Sequence, residues 1–201
     1  EVARILPVVT TGLSYTTGHD AFGFNTFTSV QRDSYTVKMG QARVDFTDSW
    51  SITTGLDGSR SVTAGAPVAP GEVDTLTLTA LQERAGSRID YEYDEVARIL
   101  PVVTTGLSYT TGHDAFGFNT FTSVQKDTYT VKMGQARVDF TDSWSITTGL
   151  DGSRSVTAGA PVAPAEVDSL TLTALQERAG SRIDYEYDEV ARLLPDVPTG
   201  V

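Results

Sequence analysis

The chain repeats itself with a period of 94 residues, and this constrains its fold more than any local motif. Glu1–Asp94 and Glu95–Asp188 agree at every position but four: Arg32/Lys126, Ser34/Thr128, Gly71/Ala165 and Thr75/Ser169. A third copy opens at Glu189 and soon stops matching. Near-identical neighbours invite swapping and misassembly. A chain that keeps them depends on copy number more than on specialised chemistry in one copy. The four differences predict unchanged backbones, with Gly71 at negative φ because alanine replaces it.

Each copy is large enough for one modest core. The net charge is −11, spread as −5 per copy plus −1 from Glu189, Arg192 and Asp196. Such an evenly acidic chain repels phosphate backbones, which excludes nucleic acid as a partner, and keeps an array soluble. There is no cysteine, so no disulfide staples the domains. No run approaches the length of a membrane span.

Threonine dominates, with 14 in each copy. Together with Val, Tyr, Phe and Trp it favours extended backbone. Alternation recurs in Tyr35/Val37/Met39, Ala42/Val44/Phe46, Leu76/Leu78/Ala80 and Ile89/Tyr91/Tyr93, the pattern of half-buried antiparallel strands. Turn signals at Gly18-His19-Asp20, Gly40, Asp57-Gly58, Pro67, Pro70-Gly71 and Gly86 divide the copy into seven expected strands. These lie near 8–16, 21–31, 34–40, 42–54, 60–64, 73–82 and 87–100. Their number and rhythm predict an all-β chain of tandem antiparallel immunoglobulin-like β-sandwich domains, with a small barrel as the rival. The expected core holds Tyr35, Val37, Val44, Phe46, Leu76, Leu78, Ile89 and Tyr91. At Asp94 the strand phase breaks, into a capped helical turn or a bulge before Pro101.

The truncated third copy places the boundaries. Glu189–Pro195 still follows Glu95–Pro101 while the residues beyond diverge, so that element belongs to the preceding domain. Residues 1–7 are then the terminal element of an earlier repeat. The two domains span 8–101 and 102–195, and 196–201 begins a linker or a further domain. Pro101-Val102-Val103 is short and stiff, predicting a small end-to-end joint around Leu100–Val103 in an elongated rod.

Few residues suggest chemistry. His19 and His113, each followed by Asp, could form a base and its orienter for a serine nucleophile, but no nucleophile-elbow motif accompanies them. Loop chemistry is the preferred reading. Asp90, Glu92 and Asp94, with Asp184, Glu186 and Asp188 in the second copy, could bind calcium. Alternate strand carboxylates lie roughly 6–7 Å apart, so a solvated face is preferred and no cofactor is required. Asn25 and Lys38 could form a covalent Lys–Asn staple only if both were buried, and the phase of Lys38 points it outward. Trp50 and Trp144 read as core or rim aromatics. The row Thr75/Thr77/Thr79 could present hydroxyls to ice or glycan, although β-propensity alone accounts for it.

With its 94-residue period, acidic composition, absence of cysteine and strand-rich copies, the chain resembles the stalk regions of long bacterial surface adhesins. The resemblance implies a non-enzymatic, extracellular or cell-surface role: an extension repeat that projects a binding domain, with neighbouring repeats as its partners. The alternative is a repeat that itself binds glycan, ice or another copy of itself, gaining avidity from number.

Overall fold

In a computed structural model that describes residues 11–100, 105–190, 192 and 193, the chain is mostly antiparallel β-sheet in two similar halves. The first half contains β1 (Thr11–His19), β2 (Asn25–Lys38), β3 (Gln41–Gly55), β4 (Arg60–Ala64), α1 (Leu78–Gln82) and β5 (Ser87–Asp90). The second repeats these as β6 (Thr105–His113), β7 (Asn119–Lys132), β8 (Gln135–Gly149), β9 (Arg154–Thr157), α2 (Leu172–Gln176) and β10 (Ser181–Asp184).

The immunoglobulin-like sandwich is not confirmed. The described strands form one ten-stranded sheet instead of two facing ones. β1, β2 and β3 follow each other as hairpins. The far edge of β3 then carries two short strands in succession: Phe46–Ser49 pairs with β5 and Ser51–Thr54 with β4. This is possible because β3 is long enough to offer each half of its edge to a different partner.

The expected strands 21–31 and 34–40 are a single strand, β2, whose register shifts at Ser34/Tyr35 without ending it. The β2–β3 connection is a two-residue turn with Met39 at φ 50° and Gly40 at φ 72°. That turn suits the twist of a hairpin, and it leaves Met39 exposed outside the alternation it shares with Tyr35 and Val37. Segment 73–82 is not a strand. Pro70–Glu72 is a 3-10 turn with proline in first position, and Leu78–Gln82 is helical. Thr77 caps that helix, its Oγ1 accepting from the Ala80 N–H at 3.2 Å. The Thr75 hydroxyl donates to the Glu72 carbonyl at 3.0 Å. Thr75 and Thr77 therefore serve local turn and capping chemistry, and the three threonines do not line one face of a strand. After β5 the chain closes a tight turn: Asp94 Oδ1 accepts from Val96 N and Arg98 N, and Tyr93 bridges Ile99.

Cross-strand partners share a face. On one face lie Tyr15, Val30 and Trp50, and beside them Thr28, Ile52 and Val62. The 3-10 turn and α1 fold over it, burying Val30, Trp50, Val62, Ala64, Val68, Val73, Leu76 and Leu81 together. Trp50 is 1% exposed, and its indole N–H donates to the Arg84 carbonyl at 3.1 Å. Of the expected core, Leu76 is buried; Tyr35, Val37, Val44, Phe46, Leu78, Ile89 and Tyr91 are half-buried. On the opposite face a row of hydroxyl residues crosses eight strands: Thr16, Ser29, Ser51, Thr63, Thr110, Ser123, Ser145 and Thr157.

Of the four differences, Gly71 lies outside the positive-φ set and has open space around it, so alanine at 165 is accommodated. Ser169 repeats the hydrogen bond of Thr75 to a carbonyl three residues back. Ser34 and Thr128 are both buried at the register shift.

Candidate functional site

The most distinctive arrangement is the junction between the halves, which are in contact through the sheet. β6 pairs antiparallel with β4 from Arg60↔His113 to Ala64↔Tyr109, and with β5 at Arg88↔Leu107. The sheet thus runs unbroken from one repeat into the next. The described contact is lateral, strand beside strand. Of the joint expected at Leu100–Val103, residues 101–103 lie outside the described residues, as do 1–7 and 196–201.

Several side chains hold this ladder. His113 donates from Nε2 to Asp74 Oδ1 at 2.9 Å and from Nδ1 to the Asp114 carbonyl at 2.9 Å. Two acceptors require two ring N–H donors, so this environment selects the imidazolium. The hydrogen bond to the Asp114 carbonyl and the one to Asp74 raise the His113 pKa above its ordinary value. The hydroxyls of Thr63 and Thr110 meet at 2.9 Å. Burial follows the contact. Val62, Ala64, Val68 and Val73 are buried in the first repeat, while Val156, Ala158, Val162 and Val167 in the second are only partly so.

A charged row crosses the sheet through the same junction: Leu13, Arg32, Asp48, Arg88, Leu107, Lys126, Asp142 and Arg182 are successive cross-strand partners. Asp48 is buried; Arg88 grips it with Nε at 2.7 Å and Nη2 at 2.9 Å, and Arg32 Nη2 adds a bond at 2.8 Å. Burial pushes the Asp48 pKa up, but the hydrogen bonds and charges of Arg88 and Arg32 outweigh it and hold the carboxyl below its usual value. Arg88 also stacks 3.8 Å over Phe46. Asp142 keeps the bidentate grip of Arg182, but Lys126 makes no hydrogen bond to it, and it is more exposed than Asp48.

The other candidates are separate from one another. The Asp20 carboxylate does not orient His19. It accepts from Phe22 N, Phe24 N, Asn25 N and Asn25 Nδ2, closing the β1–β2 loop. Asn25 and Lys38 stand at opposite ends of β2, roughly 40 Å apart at the strand rise, which rules out a covalent staple between them. Asp90 ends β5, Glu92 is exposed, and Asp94 receives Arg98 Nε at 2.9 Å. In the second repeat Asp184 ends β10, Glu186 follows it, and Asp188 receives Arg192 Nε at 2.7 Å. Among the described residues no three His, Cys, Asp or Glu side chains converge on a common point.

The sequence reading missed Asp74, Thr63, Thr110 and the pairing of β4 with β6. It also missed an exposed aromatic tip, where Phe22 and Phe24 pack at 6.0 Å beside Leu56, recurring as Phe116, Phe118 and Leu150. The duplicated Phe-Gly-Phe was its only signal. No helix among the described residues is long and apolar enough to cross a membrane.

No family model, curated protein or solved structure matches the chain.

Proposed function

We propose that the chain is a non-enzymatic structural extension repeat, a stalk element of an extracellular adhesin or fibre that holds a binding domain away from a cell surface. The continuous ladder from β4 and β5 to β6 carries this reading. A spacer must transmit position from repeat to repeat, and strand pairing with a shared apolar layer does so without a hinge. The junction uses surfaces that every copy possesses, so it can be repeated along an array. The acidic, cysteine-free composition suits a long soluble array.

The lateral junction sets the geometry of such a stalk. Each repeat adds four strand positions (β1, β2, β3 and the shared β4/β5 column), an advance of roughly 19 Å at about 4.8 Å per strand. Tandem arrays of two, three and four repeats, measured by small-angle scattering, should lengthen by this increment at constant cross-section. A maximum dimension that fails to grow with copy number would remove the stalk reading.

A second reading is favoured by the aromatic tips. Phe22, 83% exposed, and its neighbours recur once per repeat, and exposed aromatics stack on sugar rings. Under this reading the repeats bind glycan weakly and gain avidity from number. Glycan-array binding that rises with copy number and is lost in Phe22→Ala/Phe116→Ala would favour it.

A further inference from the structure

The two outer edges of the sheet are the two halves of the junction already formed inside it. β1 has the sequence of β6 without change, and residues 154–184 repeat 60–90 apart from Gly71/Ala165 and Thr75/Ser169. Among the described residues nothing pairs with the outer edge of β1, or with those of β9 and β10. Apolar side chains that the junction covers on one repeat are uncovered on the other. Leu13 and Tyr15 are 53% and 59% exposed, whereas Leu107 and Tyr109 pack against the second core. Ile183 is 57% exposed, whereas Ile89 is half-buried. His19 and Asp168 are the counterparts of His113 and Asp74, at opposite ends of the chain.

We infer that a second copy of this chain adds head to tail, its β1 pairing with β9 and β10 of the first in the register that β6 keeps on β4 and β5. The inference rests on the structural-repeat reading above. Moving the internal register by one period gives Arg154↔His19, Ser155↔Gly18, Val156↔Thr17, Thr157↔Thr16, Ala158↔Tyr15 and Arg182↔Leu13. The two edges differ, so the contact is heterologous. It leaves a fresh β1 edge and a fresh β9/β10 edge after every addition, and an open filament results.

Gly112 shows how to block it. A Cβ there would lie 2.6 Å from the Arg60 carbonyl oxygen and 2.7 Å from Ser61 Cβ, both across the junction. At Gly18 the three atoms nearest an added Cβ all belong to the ring of Phe27, the closest at 2.6 Å, and that ring is exposed enough to swing aside. Gly18→Ala should therefore leave the folded chain and its internal junction intact while closing the β1 edge to a second copy.

Three measurements on the full chain test the inference. Sedimentation velocity should show species that grow with concentration, and Gly18→Ala should weaken association at least about tenfold without lowering the melting temperature. Thr63 and Thr110 lie close enough for a disulfide, so Thr63→Cys/Thr110→Cys should cross-link within one chain as a control. Thr16→Cys/Thr157→Cys should then oxidise to a ladder of covalent multimers, and Thr16→Cys/Ser155→Cys should not. A chain that stays monomeric at every concentration overturns the inference. So does a closed dimer, or equal cross-linking by the two cysteine pairs. In each of these cases arrays that still lengthen by the expected increment leave the stalk reading standing.

Discussion

His113 of the second repeat lies 2.9 Å from Asp74 of the first, a contact that exists only because β6 docks beside β4. The hydrogen bonds to the Asp114 carbonyl and to Asp74 raise its pKa above the ordinary 6.5. A group whose folded value is raised contributes stability fully below its unfolded value and loses it as pH climbs through the folded one. The chain should therefore melt at a higher temperature at about pH 6 than at about pH 8. His113→Gln should remove most of that difference. Differential scanning fluorimetry across this range checks both.

Asp48 supplies a prediction about the core. Arg88→Ala leaves a buried carboxylate with Arg32 alone. Orphaning a buried charge costs several kcal/mol, but Arg32 remains and the guanidinium sites are half-exposed, so about 1–2 kcal/mol is expected. Arg182→Ala should cost less, because Asp142 is already more open to water. Urea unfolding of the two variants should show this order, and the reverse order would contradict the account.

The β2–β3 turn is chemically suboptimal. Met39 and Met133 both sit at φ 50° ahead of Gly40 and Gly134, in a turn that favours asparagine at this position. A left-handed conformation costs an ordinary side chain about 1 kcal/mol. Met39→Asn and Met133→Asn should each raise stability by about that amount, seen as a higher urea midpoint with an unchanged slope.

These features divide into what the residues announced and what they concealed. The strands with strict alternation and glycine turns, β3 and β4 above all, were legible because pleat and burial share a period of two. The segment at 73–82 misled because Leu76 and Leu78 also alternate with threonines. The signals against a strand, Pro70 opening the 3-10 turn and Thr77 as helix cap, were single residues set against the alternating run Thr75–Ala80. Trp50 was legible as a core or rim aromatic, but its place at the centre of the core was not, since the residues that cover it (Val68, Val73 and Leu81) lie in or beside non-strand segments. The junction was hidden for another reason: β4 finds β6 about 50 residues further along, and nothing local records a partner at that distance.

The cap itself can be tested. Thr77→Ala removes the acceptor for the Ala80 N–H and should cost about 1 kcal/mol. Because α1 covers Trp50, near-ultraviolet circular dichroism of the tryptophan should weaken in parallel.

The central claim is that one sheet passes through the repeat boundary, and amide hydrogen exchange followed by NMR tests it most directly. β1 and β6 have the same sequence, and Gly18→Ala changes one residue of it, so a difference in protection at the other shared positions reports the junction. In the Gly18→Ala chain, which keeps β1 open, the amides of β6 that face β4 should exchange far more slowly than their counterparts in β1. Equally rapid exchange at both strands would contradict the account.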